Sequence, residues 1–141
     1  MNTLTVKDTS IALPDFIVER AGIHPTQGAF QIHFTNGNIL ELIDNGQDCC
    51  ENRYITCDDD LEGLQGQRIV SIEVAGIAEV LETNDGDSHE QVFVRIQFSR
   101  FAVTLCTHNE HNGYYGGFCL EVRLLAQDGR CVAHKELSTD V

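Results

Sequence analysis

Apolar residues recur along this chain mostly at every second position, the period of a strand with one buried face. Phe30, Ile32 and Phe34 alternate with Gln31, His33 and Thr35. Asn36-Gly37 follows as a turn able to take positive φ, and residues 38–43 return, which predicts a β-hairpin. From Arg68 the period sets Val70, Ile72 and Val74 on one face and Ile69, Ser71 and Glu73 on the other. Val92, Val94, Ile96 and Phe98 alternate with Phe93, Arg95 and Gln97, and Phe101, Val103 and Leu105 form the next stripe. Phe118, Leu120, Val122 and Leu124 oppose Cys119, Glu121 and Arg123. Gln127-Asp128-Gly129-Arg130 then turns the chain into residues 131–134. Residues 49–57 read as a short strand ending at Asp58-Asp59-Asp60. These aspartates suit a helix start, and Gly63 and Gly66 hold that helix to about two turns.

The pattern predicts a mainly β (β-rich α+β) chain. The expected architecture is an antiparallel sandwich or open barrel of about seven to nine strands with one short helix. The 141 residues suit a single domain over 1–141. No apolar run approaches the ~18 residues that span a bilayer. Residues 1–8 lack the basic start and apolar stretch of an export signal, so a cytoplasmic protein without membrane contact is expected.

Charge narrows the partners. Nine basic residues stand against 22 acidic ones, a net charge of −13, which repels phosphate backbones and argues against duplex nucleic acid. The six cysteines read as thiols in a chain without an export signal. Cys106, Cys119 and Cys131, set in apolar runs, are expected to serve as small hydrophobes of the core.

Residues 107–117, Thr-His-Asn-Glu-His-Asn-Gly-Tyr-Tyr-Gly-Gly, read as a loop longer than the two to five residues a hairpin needs. Asn109 and Asn112 offer both donor and acceptor, and Tyr114 and Tyr115 can stack on a planar ring. Gly113, Gly116 and Gly117 permit close backbone approach. Other chemistry fits less well. His108, Glu110 and His111, with Cys106, Asp48, Cys49 and Cys50, are zinc donors by type, but no Cys-x-x-Cys or helical His-x-x-x-His spacing is present. Cys106 and His108 would share a strand face, giving two donors, so no metal ligand is assigned. Cys49 or Cys50 with His108 or His111 could pair as nucleophile and base, with Arg53 lowering a thiol pKa; nothing in the spacing joins them, and no catalytic residue is assigned.

Two segments together carry a resemblance: Asp48-Cys49-Cys50-Glu51-Asn52-Arg53-Tyr54 with Thr56 and Asp58-Asp59-Asp60-Leu61, and Thr107 through Phe118. They resemble a domain-of-unknown-function family of small proteins from phages, prophages and plasmids, marked by a CCE element and a THNEHNGYYGGF element. A looser similarity is to the Thoeris anti-defence 1 proteins, phage-encoded β-rich oligomers that sequester cyclic ADP-ribose isomers, some also holding cyclic oligonucleotides. That similarity implies a sponge that binds its signal at a protomer interface without cleaving it. It further implies stacking by Tyr114 and Tyr115, base contacts from Asn109 and Asn112, and a pyrophosphate contact from Arg53.

The sequence therefore leads to a non-enzymatic binder of a small, nucleotide-like ligand, homo-oligomeric and needing no cofactor. Its site is expected at His108, Asn109, His111, Asn112, Tyr114 and Tyr115, with Glu51 and Arg53. An acidic protein–protein inhibitor that mimics nucleic acid is the first alternative, and a Cys/His metal-dependent or thiol enzyme the second.

Overall fold

The computed structural model describes residues 2–6, 9–13, 16–24, 28–45, 51–76, 79–82, 88–111 and 117–137. Among these residues the chain forms twelve strands. They are β1 (Asn2–Val6), β2 (Thr9–Leu13), β3 (Val18–His24), β4 (Ala29–Phe34), β5 (Ile39–Asp44), β6 (Glu51–Cys57), β7 (Ile69–Val74), β8 (Glu79–Glu82), β9 (Ser88–Phe98), β10 (Ala102–His111), β11 (Leu120–Leu125) and β12 (Cys131–Leu137). They make two sheets. The larger runs β2-β1-β7-β9-β10-β6, with β8 also on β9, and the smaller runs β12-β11-β5-β4-β3. All strand pairs are antiparallel except β1 and β7, which run parallel. The architecture is the expected sandwich, with β1, β2 and β3 as strands that the sequence pattern did not announce.

Alternation explains how the sheets close on each other. Val92, Val94, Ile96 and Phe98 of β9 and Val103 and Leu105 of β10 are buried, and so are Phe30, Ile32, Phe34, Leu40, Leu42, Leu120 and Val122 of the smaller sheet. They join one apolar cluster, each fully buried side chain contributing about 1.5–3 kcal/mol. The β4–β5 hairpin forms as expected, with a three-residue connection. Gly37 N–H donates to Phe34 O at 3.0 Å, Phe34 N–H to Asn38 O at 2.9 Å, and Gly37 takes φ +89°. The β11–β12 turn repeats this arrangement, with Ala126 N–H to Arg130 O at 2.8 Å and Gly129 at φ +88°.

Three expectations change. The single face drawn through Val70, Ile72 and Val74 is broken by a bulge, because Ile69 pairs Phe98 while Ser71 pairs Gln97. The extra residue, Val70, is 43% exposed, and Ile69 and Ile72 both face the core. The short helix is one 3₁₀ turn, Glu62–Leu64, anchored by fully buried Leu64. Asp60 Oδ1 accepts Glu62 N–H at 3.0 Å and Asp59 Oδ2 accepts Thr104 N–H at 2.8 Å, so the aspartates tie this turn to β10. Cys119 and Cys131 are exposed and Cys57 and Cys106 half-buried, all four as free thiols, so none lies in the core. Cys106 and Cys119 have the parity opposite to the apolar stripes of their strands, whereas Cys57 shares the parity of buried Ile55 and packs against the margin of the core. Cys49 and Cys50 lie outside the described residues. Among the described residues no helix is long and apolar enough to cross a membrane.

Candidate functional site

The first half of the expected loop is strand. Thr107 to His111 continue β10 and pair with β6 on one side and β9 on the other. The connection that follows leaves β10 in the larger sheet and enters β11 in the smaller, so it crosses between layers and is not a hairpin loop. Asn112, Tyr114 and Tyr115 lie outside the described residues, and Glu51 is placed by its backbone as the first residue of β6, opposite His111.

Strand parity divides the remaining candidates. Thr107, Asn109 and His111 are buried at odd positions shared with core residues Val103 and Leu105; Cys106, His108 and Glu110 take the opposite, outer face. On the inner side Asn109 Nδ2 donates to Gly117 O at 3.0 Å, and Glu90 Oε1 accepts Gly117 N–H at 3.1 Å. His111 Nε2 lies 2.6 Å from the same Glu90 oxygen. Arg53 Nη1 pairs with Asp44 Oδ1 at 2.8 Å, the two side chains only 5% and 6% exposed, and Asp44 Oδ1 also accepts Cys119 N–H at 3.0 Å. Asn109, His111 and Arg53 thus hold the returning end of the crossing against the sandwich.

The outer face carries a compact cluster centred on His108. Tyr54, directly opposite on β6, stacks on its imidazole with centroids 4.4 Å apart and planes 9° from parallel. Thr56 Oγ1 lies 2.7 Å from His108 Nε2, and His89 Nε2 lies 2.8 Å from His108 Nδ1. Gln91 Nε2 and Cys106 Sγ approach the same Nδ1 at 3.5 and 4.0 Å. Tyr54 Oη donates to Glu110 Oε1 at 2.8 Å, and His89 Nδ1 sits 3.9 Å from that oxygen. These contacts leave His108 only 8% exposed on the outside of a sheet.

Burial, then the neighbouring His89, lowers the His108 pKa below the ordinary 6.5, with Glu110 opposing. The imidazole is therefore neutral at pH 7, with one nitrogen donating and one accepting. Burial, reinforced by the Glu110 hydrogen bond, pushes Tyr54 up to about 12, so its phenol stays a donor. Burial also raises the Cys106 and Cys57 thiols, the opposite of what a nucleophilic cysteine requires. Among the described residues no group of three or more His, Cys, Asp or Glu is arranged to hold a metal ion.

Thr56, His108 and His89 stand in the order of hydroxyl, base and orienting group. Two cavities, of about 590 and 180 Å³, lie along β3. The sequence offers no signal for His89 and Gln91; it marks Glu110 only as a metal donor by type, and Tyr54 and Thr56 only as part of the family resemblance. Each has the parity of an outward strand position, but the register that converges them on His108 spans three strands.

Residues 11–120 match the family described as Domain of unknown function (DUF7448). No curated protein and no solved structure matches the chain.

Proposed function

The chain belongs to the DUF7448 family, and from its site we propose a non-enzymatic small-ligand-binding protein whose ligand carries a flat, hydrogen-bonding ring. The observation that carries this reading is the Tyr54–His108 stack, a ready-made aromatic platform fixed on paired strands. Tyr54 covers His108 and stays partly exposed itself, while Glu110, an acceptor, borders the platform. Asn112, Tyr114 and Tyr115, outside the described residues, stay candidate ligand contacts in this reading. Asn109, His111 and Arg53 then act as positioning residues.

A nucleobase has the required shape and edges. The ligand class is a nucleotide-derived signal, a cyclic ADP-ribose isomer or cyclic oligonucleotide, held without turnover by a homo-oligomeric anti-defence sponge of a phage or other mobile element. With Arg53 engaged by Asp44 and Glu110 at the platform, recognition rests on the base more than on phosphate.

The test is a calorimetric titration with adenosine, cyclic ADP-ribose and cyclic dinucleotides, followed by heat release and chromatography of the ligand. Saturable binding with intact ligand recovered supports the reading. Tyr54→Ala should then weaken affinity roughly tenfold or more, the alanine-substitution cost of one stacked base. Recovery of a converted product would instead make the protein an enzyme, and no binding to any of these rings would end the proposal. The charge of −13 favours a second reading, an acidic inhibitor of a protein partner.

A further inference from the structure

Among the described residues strand β3 forms the edge of the smaller sheet, paired with β4 on one side. Which of its backbone groups face outward follows from the hydrogen bonds beyond it. Phe34 N–H donates to Asn38 O at 2.9 Å, so Phe34, and by alternation Ile32 and Phe30, turn their backbone toward β5. His33 and Gln31 therefore turn theirs toward β3, where they meet Arg20 and Gly22. The residues between, Ala21 and Ile23, direct N–H and C=O away from the sheet, and among the described residues no backbone group meets them there.

The molecule itself shows what such an edge accepts. At the start of β3, Val18 N–H donates to Gln67 O and Gly66 N–H to Val18 O, both at 2.8 Å. That segment extends the sheet for one residue pair and then leaves to form the turn before β7, so the edge beyond it stays open.

Two cavities follow the open part. The larger, about 590 Å³, lies between β3 and the turn at 59–62; the smaller, about 180 Å³, continues past Gly22 toward His24. Ala21 and Arg20 line both. A Cβ at Gly22 would meet nothing within 4 Å, so the outer face there has room for a neighbour's side chain. The larger cavity is walled by Glu19, Asp59, Asp60 and Glu62 against the single cation Arg20.

We infer that the β3 edge is a docking site for an extended segment of a partner protein, added as a further strand through Ala21 and Ile23. Its Lys or Arg side chains enter the groove walled by Glu19, Asp59, Asp60 and Glu62. Main-chain pairing supplies the generic affinity and the acidic wall the selectivity. A second copy of this chain fits less well, since each molecule carries a net charge of −13 and the two would repel.

The experiment uses the full chain and two fluorescent probe peptides, one alternating Lys with Val and one alternating Glu with Val. Anisotropy at low salt should show the basic peptide binding and the acidic one at least about tenfold weaker. Amide hydrogen exchange read by NMR should slow at Ala21 and Ile23 when the basic peptide is present. Glu19→Lys with Glu62→Lys, both exposed, should reduce affinity about tenfold with an unchanged circular dichroism spectrum. Binding that leaves the Ala21 and Ile23 amides unprotected would overturn strand addition in favour of diffuse charge attraction. Concentration-dependent protection of those amides without peptide would replace the partner by a second copy, and no binding at all would remove the site.

Discussion

Tyr54 lies flat on His108 from the neighbouring strand, where the two are directly opposed in register, with ring centroids 4.4 Å apart. A stack of this kind contributes about 0.5–1.5 kcal/mol beyond the area it covers. Tyr54→Ala should lower unfolding stability by at least that amount in chemical denaturation. It should also let the His108 pKa climb back toward 6.5, because the ring that shields the imidazole from water is gone. NMR titration of the imidazole resonances reads the second effect directly.

Acid should weaken the fold through the same group. The folded-state pKa of His108 lies below the unfolded value of 6.5, so between those two values the unfolded chain binds more protons. Stability is unaffected by His108 above that window, declines as pH falls through it, and levels off once both states are charged. His33, lowered by burial and then by Arg20, adds a slope of the same sign. Denaturation midpoints recorded from pH 7 downward should therefore fall, and His108→Gln should make the decline shallower without abolishing it.

Arg53→Ala separates a structural from a ligand-contacting role. Removing the guanidinium leaves Asp44 charged and nearly inaccessible, a situation that costs about 3–5 kcal/mol. A large drop in thermal stability is expected with or without any ligand. An Arg53→Ala protein as stable as the parent but weaker in ligand binding would show that the Asp44 pair is dispensable.

At the opposite connection, Gly37 combines φ +89° with a tight approach to the neighbouring turn. A Cβ there would come within 3.0 Å of Gln127 Cδ. Gly37→Ala should destabilise by about 1–2 kcal/mol from the left-handed backbone alone, with a steric part added. Adding Gln127→Ala should recover the steric part only, which a double-mutant cycle by urea denaturation resolves.

The strands with clear alternation were legible: β4, β9 and β11 each carry three or more apolar residues of one parity, β10 continues the Phe101, Val103 and Leu105 stripe, and β5 returns from the Asn36-Gly37 turn. β1 and β3 were not, since Leu4 and Val6 make only a two-residue stripe and β3 places Glu19 and Arg20 beside a bulge after Val18. Val70 was misplaced because a bulge changes parity without leaving a mark in composition. Candidate His108 was legible as chemistry, but its partners were not. Tyr54, Thr56, His89 and Gln91 are distant in sequence and converge only through the β9–β10–β6 register. The loop was overextended at its start, because Thr107 to His111 carry no apolar alternation, although cross-strand pairing on both sides holds them extended.

The crossing after His111 has its two feet on different layers, β10 beneath one end and β11 beneath the other. Glu90 and Asp44, one from each layer, grip its far foot through Gly117 and Cys119. Gly117 and Cys119 are thereby fastened to both sheets at once, so a substitution at either carboxylate is felt where the two layers meet.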